Sequence, residues 1–204
     1  MRPRLLGGAL LGFFLLCTSS VRADERSTQE ISIQGTGFFT KNSNGNGINQ
    51  QTTNAGGLLL SYRYRFHRWL SADVSYGYSR NTQQNLTPGG NFNVQSNVHQ
   101  ATAAAVVSLP WRPARLNPYV LAGTGALVFA PTNNAGGFVP GAGSQSKATF
   151  VYGGGADYDL FGHLAIRLEY RGFVYGRPDF GLSSLHSGAT THTAQPSAGF
   201  VVRF

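Results

Sequence analysis

The sequence predicts an all-β fold: a closed, eight-stranded, antiparallel up-and-down β-barrel that crosses a membrane. Three observations predict it. Apolar and polar residues alternate with a period of two along most of the chain, and no stretch after the leader repeats with a helical period. Long polar connections and short turns follow one another strictly, so every long connection falls at one end. From Leu58 to Tyr64 and from Leu164 to Tyr170 the large apolar residues share a face that carries no charge, while the arginines share the other. An arginine turned to lipid near the bilayer midplane costs about 2–4 kcal/mol, so the charged face must be the inner one.

The chain has 204 residues, enough for one domain with a sizeable core. Its beginning lies outside the fold. Arg2 and Arg4 precede a short apolar run from Leu5 to Leu16, and Val21-Arg22-Ala23 forms a small-residue cleavage pattern before Asp24. Residues 1–23 therefore read as a secretory signal peptide cut after Ala23, residues 24–30 as a short N-terminal segment and residues 31–204 as the barrel. The single cysteine, Cys17, leaves with that leader. Leu16 stands before it where a lipoprotein site wants a small residue, so no lipid anchor is expected. The mature chain then has neither disulfides nor cysteine metal ligands.

The formal net charge is +8; Arg2, Arg4 and Arg22 go with the leader, which holds no acid, and +5 remains. A nucleic-acid binder would gather such charge on one patch or helix. Here Arg63, Arg65, Arg167 and Arg171 sit at alternate strand positions, with Asp73, Asp157 and Glu169 at matching ones. That arrangement predicts a charge network inside the barrel and no nucleic-acid partner.

In order along the mature chain, EISIQGTGFFTK sets Ile31, Ile33, Gly37 and Phe39 against Ser32, Gln34, Thr36 and Thr40. KNSNGNGINQQTTN, rich in Asn and Gly, reads as loop alone. GLLLSYRYRF turns Leu58, Leu60, Tyr62, Tyr64 and Phe66 one way and Ser61, Arg63 and Arg65 the other. After a short turn near His67-Arg68, WLSADVSYGYSR sets Leu70, Ala72, Val74, Tyr76 and Tyr78 against Ser71, Asp73, Ser75, Gly77 and Ser79. A second polar loop is expected from Asn81 to Gln95, turning at Pro88-Gly89-Gly90.

The fourth strand, near Val98 to Leu109, has the weakest pattern, and the prolines of PWRPARLN end it. PYVLAGTGALVF places Tyr119, Leu121, Gly123, Gly125, Leu127 and Phe129 on one face. A Gly-rich third loop runs from Pro131 to Lys147. The clearest hairpin follows, Phe150 to Tyr175, with its turn at Asp159 to His163. Its second strand sets Leu164, Ile166, Leu168, Tyr170 and Val174 against Ala165, Arg167, Glu169 and Arg171. A fourth polar loop precedes SAGFVVRF, where Phe200, Val202 and Phe204 oppose Gly199, Val201 and Arg203.

That is about eight strands of roughly 10–13 residues, the length a tilted strand needs to cross a bilayer. Unpaired backbone groups in hydrocarbon cost several kcal/mol each, so the last strand must close on the first. Aromatic residues near strand ends, at Phe39, Phe66, Tyr119, Phe129, Phe150, Tyr158 and Phe204, are expected to form girdles at the two membrane interfaces. Glycines 77, 153 and 155 fall on the inner face, where a narrow barrel has little room.

PYVLAGTGALVF, GGGADYDLFGHLAIRLEYRGF and SAGFVVRF together resemble the small bacterial outer-membrane β-barrel family, the eight-stranded OmpA-like and OmpX-like barrels. The resemblance implies an outer-membrane protein of a Gram-negative-type bacterium, exported by its signal peptide and surrounded by membrane lipid and lipopolysaccharide. It also implies that Phe200, Val202 and Phe204 form the alternating, aromatic-ended signal read by the barrel-assembly machinery. No peptidoglycan-binding domain is expected after Phe204.

An eight-stranded barrel is filled by its own side chains or leaves a very narrow passage. The expected role is therefore structural or surface-interacting, with an interior plugged by paired charges and loops free to meet an external ligand. A narrow porin-like passage is the alternative. A lipid A-modifying enzyme would need Ser, His and an acid together. The candidates are His99 with Ser96, and His186, Ser187 and His192 with Asp179, none at a spacing that marks such a site. His186 and His192 lack a third metal ligand, so neither metal nor cofactor is expected. A soluble lipocalin-like carrier would reverse the two faces, and the terminal phenylalanine and one-ended loops argue against it.

Overall fold

The computed structural model describes residues 28–45, 48–87, 90–111, 113–132, 143–180 and 189–204. The leader, with Ala23, lies outside them. The alternating stretches form ten strands: β1 Gln29–Thr40, β2 Ser43–Gly45, β3 Ile48–Thr52, β4 Ala55–Arg65, β5 Leu70–Thr87, β6 Gly90–Ser108, β7 Leu116–Pro131, β8 Gln145–Phe161, β9 Leu164–Gly176 and β10 Thr190–Arg203. Eight of them, β1 and β4 to β10, make the wall. Each pairs antiparallel with its neighbours in the chain, and β10 returns to β1. Gln29 and Phe204 lock that seam by exchanging backbone hydrogen bonds of 3.1 and 3.0 Å.

Short turns join β4 to β5, β6 to β7 and β8 to β9, all at the end where the chain termini meet. The tightest is at Gly162, whose φ of +52° suits a residue without a Cβ. The long connections all lie at the opposite end. Two differ from the sequence reading. The segment after Thr40 contains the β2–β3 hairpin, and β3 pairs with β5 from Asn49–Leu86 to Thr52–Gln83. The expected loop from Asn81 to Gln95 is instead an unbroken extension of the β5–β6 hairpin, paired as far as Thr87–Gly90. Asn, Gln and Thr dominate the sequence of these stretches, so they lack the regular hydrophobic contrast that marks a strand, while their backbone groups still pair. Pro88 and Gly89 lie outside the described residues.

The wall's polarity is inverted relative to a protein that folds around an oily centre. Ile33, Leu58, Leu60, Val74, Val120, Phe150, Leu168 and Phe200 are exposed on its outer surface. Arg167 and Arg171 are 0% exposed inside. An apolar outer surface of this extent needs hydrocarbon around it. Phe39, Phe66, Phe150, Tyr158 and Phe204 all face outward, as girdle residues should. Tyr119 and Phe129 do not: they are 4% and 1% exposed and point into the lumen. Their strand, β7, carries no charge to distinguish its faces. It takes its orientation from β8, where Asp157 is inside and Gly155 stands opposite Tyr119.

The lumen is layered. Ionised side chains fill it toward the turn end. Hydroxyls and amides follow, with Ser32 on Ser61 at 2.7 Å, Ser75 on Thr102 at 2.6 Å and Ser197 on Gln34 at 2.9 Å. Toward the loop end, Val98, Leu127, Phe129, Val151, Phe173 and Phe180 pack in one apolar cluster.

Candidate functional site

The strand period brings the luminal charges together. On β9 it turns Arg167, Glu169 and Arg171 inward in succession. Asp157 of β8 stands directly opposite Arg167, and Asp73 of β5 opposite Arg63 of β4. Arg167 grips Asp157 with two parallel bonds, Nε to Oδ1 at 2.7 Å and Nη2 to Oδ2 at 2.8 Å. Its Nη2 also reaches Glu30 Oε2 at 2.8 Å. Such forked, charge-assisted pairs are the strong ones.

Arg171 donates Nε to Glu169 Oε1 at 2.6 Å, Nη2 to Asp73 Oδ1 at 3.0 Å and Nη1 to Ser75 Oγ at 2.5 Å. Because β5 lies diametrically opposite β9 in the wall, this side chain spans the barrel. One layer further toward the loops, Gln100 of β6 and Gln195 of β10, again on opposite strands, exchange amide hydrogen bonds of 3.3 Å. The remaining ions fill the space between. Arg63 donates Nε to Asp73 Oδ2 at 3.3 Å and Nη2 to Glu169 Oε2 at 3.4 Å, and Arg65 donates to Glu30 at 2.5 Å. Arg203 joins Glu30 at 3.2 Å, Asp157 at 2.9 Å and Asp159.

The seven residues singled out from sequence, Arg63, Arg65, Asp73, Asp157, Arg167, Glu169 and Arg171, thus lie in one connected cluster. Four further members were missed. The sequence reading places Glu30 in a segment ahead of the barrel, yet β1 begins at Gln29, and Glu30 shares the inner face of Ser32 and Gln34. Arg203 has the parity of buried Val201, which could have revealed it. Asp159 shares the polar face of Asp157 in the sequence, at the start of the turn. Tyr119, expected in the girdle, instead donates its hydroxyl to Glu169 Oε2 at 2.6 Å, and its ring centroid lies 4.3 Å from the Arg63 guanidinium.

Gly155 makes room for that ring, since a Cβ there would lie 2.7 Å from the Tyr119 hydroxyl. Arg63, Arg65, Arg167, Arg171 and Arg203 face Glu30, Asp73, Asp157, Asp159 and Glu169, five charges against five.

Below the cluster, at the turn end, a cavity of about 240 Å³ is lined by Arg65, Ser71, Ser108, Asn117 and Arg203 among others, with Tyr119 and Arg63 reaching it from the cluster.

The remaining sequence candidates sit apart. Phe200, Val202 and Phe204 share the outer face next to the β1–β10 seam, all exposed. Ser96 is buried and donates to Asn81, whereas His99 lies on the opposite face with Nδ1 2.7 Å from the Tyr76 hydroxyl. Three positions apart on a strand, the two cannot meet. His192 pairs through Nε2 with the Tyr152 hydroxyl at 2.7 Å, and Asp179 accepts from Gln145 at 2.7 Å. His186 and Ser187 lie outside the described residues. Among the described residues no three His, Cys, Asp or Glu side chains converge as metal ligands.

With this geometry in view, comparison with known proteins is informative. Residues 9–204 match the model of the family described as outer membrane protein beta-barrel domain. No curated protein sequence matches the chain. Among solved structures, the crystal structure of the outer membrane protein OprG from Pseudomonas aeruginosa is similar at 14% identity and a TM-score of 0.61, covering 87% of this chain and 96% of that one. Neisserial surface protein A is similar at 15% identity and a TM-score of 0.58, covering 85% and 97%. The solid-state NMR structure of the outer membrane protein AlkL in DMPC lipid bilayers matches at 15% identity and a TM-score of 0.55, covering 94% and 96%. Identities this low speak for the fold.

Proposed function

Because the chain belongs to the outer membrane protein beta-barrel domain family, we propose that it serves as a lumen-closed barrel of a Gram-negative-type outer membrane, acting as a structural and surface-interaction protein. The turn end, with both chain termini, faces the periplasm, and the loop end, extended by β2, β3 and the tall β5–β6 hairpin, faces outward. One observation carries this reading: side chains from opposite walls meet in the lumen, Arg171 with Asp73 at 3.0 Å and Gln100 with Gln195 at 3.3 Å. Two such crossings leave a hydrated ion no straight path, in keeping with the small bore of eight strands.

The outer face meets membrane lipid and, in the outer leaflet, lipopolysaccharide. Phe200, Val202 and Phe204 are the segment that the assembly machinery reads, and their outward exposure beside the seam supports that role. The polar loops are the surface offered to an external ligand.

Planar-bilayer recording tests the closed lumen. The wild-type barrel is expected to show no steady conductance, and Arg171→Ala combined with Gln100→Ala to create one. Stable open channels in the unmodified protein would refute closure and favour the narrow-passage alternative.

A further inference from the structure

The cavity at the turn end has a chemistry that the closed lumen does not use. It lies below the charge network and holds about 240 Å³, room for about eight waters at roughly 30 Å³ each. That volume suits a molecule of a few heavy atoms. Its deeper carboxylates are covered: the Glu30 and Asp157 side chains are only 2% and 4% exposed, each held by two or more arginines. The guanidinium groups of Arg65 and Arg203 reach further out, at 27% and 16%. Asp159 is the one well-exposed acid, and it is occupied by Arg203 and by the Asn117 amide at 2.8 Å. A guanidinium carries five N–H donors, and Arg203 directs three contacts to Glu30, Asp157 and Asp159. The Ser71 and Ser108 hydroxyls complete the lining.

We propose that this vestibule binds a small oxyanion of the phosphate or carboxylate class, held by Arg65 and Arg203 with the serine hydroxyls and Asn117 as secondary partners. The planar donor fork of arginine matches such an anion's geometry, and the surrounding solvent is partly excluded, which strengthens the bonds. The acids beneath limit the affinity, so binding in the millimolar range is expected. The site requires the cavity and not the sealed lumen. A barrel found to conduct would leave it standing.

The test is a titration of the folded full-length mature chain in detergent micelles with sodium phosphate at constant ionic strength, chloride being the replaced ion. NMR shifts of backbone amides and arginine Nε–H groups are followed. Saturable shifts at Arg65, Ser71, Ser108, Asn117 and Arg203, absent in chloride alone, are the expected result. Arg65→Gln should bind about tenfold more weakly, while Arg65→Lys should retain part of the affinity. Heat-modifiable gel mobility verifies that each variant is folded. Should Arg65→Gln fail to refold, the wild-type shift map and Ser108→Val carry the same decision. Shifts that rise without saturating, shifts centred on the loop end, equal response to chloride, or unchanged binding in folded Arg65→Gln would each overturn the proposal.

Discussion

Glu169 is the acid whose loss should be felt most, and Glu169→Ala tests the reasoning behind the luminal network. Its carboxylate accepts from Arg171 at 2.6 Å and from the Tyr119 hydroxyl at 2.6 Å, and lies 3.4 Å from Arg63. Both its own side chain and that of Arg171 are 0% exposed, so no water replaces the lost oxygens. Truncation leaves five arginines facing four acids. Removing one partner of a buried ion pair costs about 3–5 kcal/mol, most of it from the charge left uncompensated. Asp73 still binds both Arg63 and Arg171, which places the expectation toward the lower half of that range.

The measurement is reversible urea unfolding of the barrel in lipid vesicles, followed by tryptophan fluorescence and heat-modifiable mobility. The double variant Glu169→Ala, Arg171→Met restores balance and should be less unstable than the two single changes summed, by at least about 1 kcal/mol. A Glu169→Ala barrel within about 0.5 kcal/mol of wild type, or strict additivity in the double variant, would mean the lumen is wet and the pairing energetically idle.

Three other perturbations probe other levels of the structure. Gly155→Ala should strain the β8–β9 pairing and push the Tyr119 ring off Glu169, because the new methyl would lie 2.5 Å from the Leu168 carbonyl oxygen and 2.7 Å from the phenol oxygen; a loss of about 1–3 kcal/mol in the same unfolding assay is expected, and none would mean that backbone and ring both yield freely. Leu168→Arg, at a position 62% exposed on the outer face, should cost about 2–4 kcal/mol in vesicles and far less in loosely packed micelles. Equal stability in both would contradict a lipid-facing wall. Deleting Phe204 should lower the yield of inserted barrel in cells and leave chain in the periplasm, read by fractionation; an unchanged yield would remove that residue's assigned role.

Much of this architecture is legible from residue spacing because charge marks a face. On β4, β5, β8 and β9 a single Arg or Asp at alternate positions decides which side is inner, and the cross-strand pairs Arg63–Asp73 and Asp157–Arg167 follow from aligning those strands. Where no charge is present the reading fails. Both faces of β7 are apolar, with Leu121 and Leu127 on one and Val120 and Val128 on the other. For Tyr119 and Phe129 the sequence therefore offers only the preference of aromatic rings for interfaces and no contact.

The extensions of β5 and β6 fail for the opposite reason. Asn, Gln and Thr dominate the sequence there, and the strands are recognised by backbone pairing that continues to Thr87–Gly90. Glu30 sits on the first strand and Arg203 on the last, and the pairs that Glu30 makes with Arg203 and Arg167 exist only after closure. The vestibule is likewise a product of seven strands, β1, β4 to β8 and β10, and no local pattern announces it.

That dependence on closure has a kinetic meaning for biogenesis. Glu30 on the first strand gains its partners Arg167 on the ninth and Arg203 on the tenth only when the ends of the sheet join. A half-zipped intermediate therefore keeps ions it cannot hide, and hydrocarbon rejects it. Sliding a charged strand such as β9 by one step would turn its arginines and Glu169 outward and its greasy side chains inward. The five-against-five inventory thus works as a checksum on strand order: a misthreaded chain fails it before it can settle in the bilayer.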